Sequence, residues 1–160
     1  MNEFITKFQD NFIVESRGMY LLTGLGNTLI ISLLAVVIGV LLGFLIAIIR
    51  ATHDKTGSFR LPNAICKLYL TVIRGTPVMV QLLIIYSVIF ASVSINKIFV
   101  AVMAFGLNSA AYVAEIVRSG IMSVDQGQFE AGRSLGLNYT QTMWNIIMPQ
   151  AFKNVLPAHS

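Results

Sequence analysis

The sequence predicts an all-α integral membrane protein. Of its 160 residues, 56% are hydrophobic and 11% charged, against about 25% charged in an ordinary soluble domain. The apolar residues also gather in runs long enough to cross the roughly 30 Å hydrocarbon layer as helices. The net charge of +4 is scattered at the ends of these runs. There is no basic stripe with interleaved aromatics, so the charge bears on loop orientation and not on nucleic-acid binding. The single cysteine, Cys66, excludes an internal disulfide and a Cys-based zinc site. His53 and His159 lie far apart without a ligand pattern, and no metal is expected.

Residues 1–17 do not read as a signal peptide, because acidic residues come early and no apolar h-region is present. Phe4, Phe8 and Phe12 recur every four residues among Glu3, Lys7, Asp10 and Asn11. This pattern predicts an amphipathic helix lying in the membrane interface. Packing of the same face on the protein itself is the alternative.

Residues 18–160 form the membrane domain, with its first span at about 21–49 between Arg17 and Arg50. Gly39 and Gly43 form a GxxxG pair, a spacing that lets helix backbones approach closely. Residues 50–67 read as a polar loop. Arg50, Lys55, Arg60 and Lys67 outnumber Asp54 there, which places the loop on the cytoplasmic side and the N-terminus outside.

The second span is expected at about 64–91, kinked at Pro77, where a backbone donor is missing. Arg74 lies inside its apolar run and needs water or a partner. A short outer turn leads to the third span, 98–118, with a face of small residues: Ala101, Ala104, Ser109, Ala110, Ala111 and Ala114. Glu115 and Arg118 fall near its inner end. Depth alone predicts an Arg74–Glu115 contact, and an i,i+3 Glu115–Arg118 pair is the equal alternative.

The loop at 122–149 reads as helix, glycine turn, helix. Gln128–Leu135 is the first helix, and Gly136 stands where a helix stop is expected. Asn138–Thr140 is turn-prone. A second helix carries Met143, Trp144, Ile147 and Met148 until Pro149 interrupts it, and Pro157 interrupts the short stretch after that. Without further context this is an amphipathic loop helix with a solvated Glu130–Arg133 pair.

Glu130, Ala131, Gly136, Ile146 and Pro149 resemble the EAA loop of ABC-importer permeases. Gly132 stands for the usual Ala and Met148 for the usual Leu. Arg74-Gly75-Thr76-Pro77 followed by Gln81, and the run from Asn108 to Ile121, resemble the polar amino acid permeases of that family, of the histidine, glutamine, glutamate or arginine type. The resemblance implies the transmembrane domain of a type I ABC importer, with three full spans plus a coupling helix. It also implies a bacterial inner-membrane location and no enzymatic activity of the chain itself.

The partners implied are a cytoplasmic ATPase dimer, a second permease subunit, an extracytoplasmic substrate-binding protein, a polar amino acid and membrane lipid. ATP belongs to the ATPase, since the chain has no GxxxxGK[ST] pattern. Coupling is expected from Gln128, Glu130, Ala131, Gly132, Arg133, Ser134, Leu135, Gly136, Ile146 and Pro149. The translocation path is expected at Arg74, Gly75, Thr76, Pro77, Gln81, Asn108, Tyr112 and Glu115. Family members continue through more apolar sequence, so residues 150–160 read as the stub of a further helix and the chain as C-terminally truncated.

Two other readings stand beside this one. A truncated permease would be a nonfunctional fragment. An ion- or proton-coupled transporter component would use Arg74, Asn108 and Glu115 as a polar path, although no inverted repeat is evident.

Overall fold

The structure, a computed structural model, describes residues 17–92 and 96–156. The interfacial helix expected over residues 1–17 falls outside these but for its last residue. The centre of the outer turn and the segment from Pro157 onward, including His159, also lie outside them.

Every described element is helical. Helix α1 (Arg17–Thr56) has 40 residues and runs about 60 Å. Helices α2 (Arg60–Gly75) and α3 (Val78–Ser92) form a broken pair, and α4 (Lys97–Met122) comes next. Then come α5 (Gln126–Ser134), the short α6 (Tyr139–Thr142), a π-helical segment (Met143–Ile147) and α7 (Met148–Val155). Helices α1 and α4 are long and apolar enough to cross a membrane, and the α2–α3 pair qualifies together.

The spine is α1 against α4. A Cβ on Gly39 would lie 2.5 Å from Ser109 Oγ, and one on Gly43 would lie 2.7 Å from Val113 Cβ. The GxxxG pair therefore packs within the chain, against the small face of α4, where Ala110, Ala111 and Ala114 are buried. Contact points advance together along both helices, from Gly106 on Ala35 and Ile38 to Arg118 on Asp54, so the helices run parallel.

Two expectations are corrected here. Residues 50–67 are not a loop. α1 continues to Thr56 and α2 begins at Arg60, leaving only Gly57, Ser58 and Phe59 between them. Polar residues do not end a helix unless a breaker comes after them, and the first is Gly57, at φ 70°. The 64–91 segment bends far more sharply than a kink, since α2 and α3 meet at 104°, although the pair together still qualifies as one broken span. Thr76 is extended (φ −122°, ψ 140°), as the residue before a proline tends to be, and Pro77 then opens α3.

The second loop helix is also not interrupted at Pro149. The Met148 N–H bonds to the Met143 carbonyl, five residues back. This widened turn precedes Pro149, which has no N–H to place, and the helix runs on to Val155. Residues 150–155 thus continue the loop's own helix.

Candidate functional site

The loop after α4 is built from strong local signals. Asp125 caps α5 by accepting a hydrogen bond from the Gly127 N–H at 2.6 Å. At the other end, the Leu137 N–H donates to the Gly132 carbonyl and the Gly136 N–H to the Arg133 carbonyl. Gly136 sits at φ 76°. That is a Schellman termination, which favours glycine at the left-handed residue. Asn138 and Gln141 then form a reciprocal capping box that starts α6.

A core pins this loop to the ends of α1 and α4. Ala51, Ile121, Val124, Phe129, Met143, Ile147, Met148 and Ala151 are buried together, with Ile146 partly buried beside them. Phe44 of α1 stacks on Phe152 at 5.8 Å and lies 6.0 Å from Trp144. Tyr139 donates its hydroxyl to Thr52 Oγ1 at 3.3 Å. Burial pushes the Tyr139 phenol up, and that hydrogen bond offsets the shift in part.

Helix α5 therefore has two distinct faces. Phe129 and Gly132 turn inward, and Gln128 is partly buried, accepting from Gln150 Nε2 at 3.3 Å. Glu130, Ala131, Arg133 and Ser134 are exposed, as is Pro149. Leu135 is 76% exposed at the helix end. Among the described residues, Glu130 and Arg133 make no ion pair with each other. Ser134 Oγ instead donates to the Glu130 carbonyl.

The residues expected along a path divide differently. Gln81 bridges the break between α2 and α3. Its Nε2 donates toward the Ile73 carbonyl at 2.8 Å, the Thr76 carbonyl at 3.1 Å and Thr76 Oγ1 at 2.7 Å. These carbonyls are ones that the end of α2 leaves without helical partners. Asn108 of α4 donates to Gln81 Oε1 at 3.4 Å. Gly75 and Pro77 shape the break and are exposed. Tyr112 is half exposed and is not joined to this network.

Glu115 gathers arginines from three helices. Its Oε2 lies 3.3 Å from Arg50 Nη1 and 3.3 Å from Arg74 Nη1, and its Oε1 lies 3.0 Å from Arg118 Nη2. Arg118 also reaches Asp54 at 2.8 Å. Both contacts weighed for Glu115 are thus present. Sequence reasoning misses the parts played by Arg50 and Asp54. The signal for them is four residues' separation near the end of a helix, parallel to Glu115 and Arg118 on α4, and reading 50–67 as a loop hides it.

Over residues 39–159 the chain matches the family described as "Binding-protein-dependent transport system inner membrane component". It is 42% identical over 151 residues to the "Probable amino-acid ABC transporter permease protein YckA" of Bacillus subtilis (strain 168), covering 94% of this chain and 64% of that one. It is 40% identical over 141 residues to the "Arginine transport system permease protein ArtQ" of the same organism, covering 87% and 62%. A crystal structure of an amino acid ABC transporter with histidines superposes with a TM-score of 0.70 at 42% identity, covering 91% of this chain and 68% of that chain. The chain spans a little under two thirds of the length of YckA and ArtQ.

Proposed function

Because the chain belongs to the family of binding-protein-dependent transport system inner membrane components, we propose that it is a membrane-spanning permease component of an ATP-driven importer of polar amino acids. The names of YckA and ArtQ support the amino-acid class. The observation that carries the reading is the two-faced helix α5. Its inner face is locked to the ends of α1 and α4, and its outer face offers Glu130, Ala131, Ser134 and Leu135 to a partner.

A separate ATPase docks on that outer face from the cytoplasm. When it binds nucleotide and closes, it pushes on α5. The push passes through the buried core to α1 and α4, since a close-packed interior transmits displacement. ATP binding so biases a two-state element in the membrane. Arg74, Gly75, Thr76, Pro77, Gln81, Asn108, Tyr112 and Glu115 border the path, and the α2–α3 break is where its width changes. A second permease chain supplies the opposite wall, and an extracytoplasmic binding protein delivers the amino acid.

The test is uptake of labelled arginine, histidine and glutamine into proteoliposomes that hold the chain, its ATPase and its binding protein. The reading requires uptake that depends on ATP and on the binding protein. Uptake driven by a proton or sodium gradient, without ATP, would overturn it.

A further inference from the structure

A cavity of about 430 Å³ lies between the end of α1 and the loop after α4. Lys55 lines it from α1, and Gln126, Arg133, Asn138, Tyr139 and Thr142 line it from the loop. Its size falls in the range of small-ligand sites, about 300–1,000 Å³. It shares a border with α5 through Gln126, Phe129 and Arg133.

The chemistry of the lining is one-sided. Lys55 and Arg133 are both cations, and no acidic residue is among the described residues that line the cavity. The Lys55 ammonium lies 4.9 Å from the Phe129 ring centroid and donates to Gln126 Oε1 at 2.6 Å. It is thereby held in place with two N–H donors to spare. Arg133 makes no ion pair among the described residues and brings a guanidinium fork. The Asn138 side-chain oxygen is taken by the Gln141 N–H, which leaves its amide N–H₂ as the donating end.

We infer that this cavity binds a phosphate group. Two cations and an amide line the cavity, Lys55 from α1 and Arg133 and Asn138 from the loop, and their several donors suit a tetrahedral oxyanion. A halide would leave most of these donors unpaired. Lys55 lies five residues beyond Arg50, about 7.5 Å along the helix. A soluble phosphoester and a phospholipid headgroup can both reach that level. Either one, once bound, ties the end of α1 to α5 and stiffens the loop.

The inference deepens the coupling reading by giving the same loop a ligand, but its test needs no ATPase. The delipidated full chain in detergent is titrated with inorganic phosphate by calorimetry. The chain in nanodiscs is compared between phosphatidic acid and phosphatidylcholine. Saturable binding is expected, weakened about tenfold by Lys55→Gln and again by Arg133→Gln, as for loss of a charged hydrogen bond.

Binding of inorganic phosphate identifies a soluble source, and binding to phosphatidic acid discs alone identifies lipid. Absence of binding to both overturns the inference. So does binding that Arg133→Gln leaves unchanged, since Arg133 is exposed and its loss spares the fold. A negative titration leaves the ATPase-docking reading standing, because no ATPase takes part in it.

Discussion

Gly132 and Thr142 touch where the two arms of the loop cross: a Cβ on Gly132 would lie 2.6 Å from both Cγ2 and Oγ1 of Thr142. Contacts that short force a shift, and Thr142 is buried and β-branched, with a stiff side chain. The glycine that departs from the Glu-Ala-Ala pattern is therefore matched to a β-branched neighbour. Gly132→Ala should destabilise the chain by about 1–3 kcal/mol, as overpacking does. Adding Thr142→Ala should restore most of the loss. Thermal unfolding in detergent of the two single variants and the double variant gives the coupling between them.

Glu115 is, among the described residues, the only carboxylate that Arg50 and Arg74 share. Glu115→Gln leaves those two cations and Arg118 competing for a neutral amide. Breaking a fully buried pair costs about 3–5 kcal/mol. Glu115 keeps 28% exposure, so a loss of about 2–3 kcal/mol is expected. Arg50→Gln should cost more than Arg74→Gln, because the Arg50 side chain is 16% exposed and that of Arg74 43%. Exposed pairs contribute about 0–1 kcal/mol. Equal losses from the two arginine variants in thermal unfolding would remove burial as the cause.

Gln81 holds the α2–α3 corner by its side-chain amide. Gln81→Leu keeps the bulk but strips the Ile73 and Thr76 carbonyls of that donor. A loss of about 0.5–1.5 kcal/mol is expected, as for an ordinary hydrogen bond, because the Ile73 carbonyl is only part-buried and that of Thr76 is exposed. Hydrogen exchange should rise first at the end of α2, before the α1–α4 spine opens. Uniform exchange along the chain would mean that the corner does not depend on Gln81.

Much of this architecture is open to sequence reasoning because it rests on local signals. Gly136 after an amphipathic turn marks a helix end through its own backbone chemistry, whereas Asn138 reads only as turn-prone and its box with Gln141 emerges from the structure. Gly39 and Gly43 announce a close approach, though only the fold shows that Ser109 and Val113 receive it. The hidden features depend on long-range geometry, or lie where polarity reads as irregular structure. Arg50 and Asp54 sit in a polar stretch that reads as loop, which conceals their alignment with Glu115 and Arg118. Pro149 reads as a stop, because a proline usually removes a needed donor. The wide turn at Met143–Ile147 makes that donor unnecessary, and no short motif signals such a turn. Pro77 predicts a kink but not a right-angle break, since bend size depends on what Gln81 and Asn108 grip.

Gly136 adopts φ 76° with open space around it. Its need is for backbone freedom and not for room. Gly136→Val should cost about 1–2 kcal/mol through left-handed strain. It should also change the angle at which α5 leaves the chain. ATP hydrolysis by the bound ATPase is expected to lose its stimulation by substrate in this variant, while Gly136→Asn should retain most of it.

The central claim is that the outer face of α5 is where an ATPase docks. The most direct measurement is a detergent pull-down of the tagged chain co-expressed with its ATPase, read by native mass spectrometry. The account predicts a complex that disappears when residues 130–136 are scrambled and survives Glu115→Gln. Failure to capture the ATPase at all, or capture that scrambling leaves untouched, would contradict it.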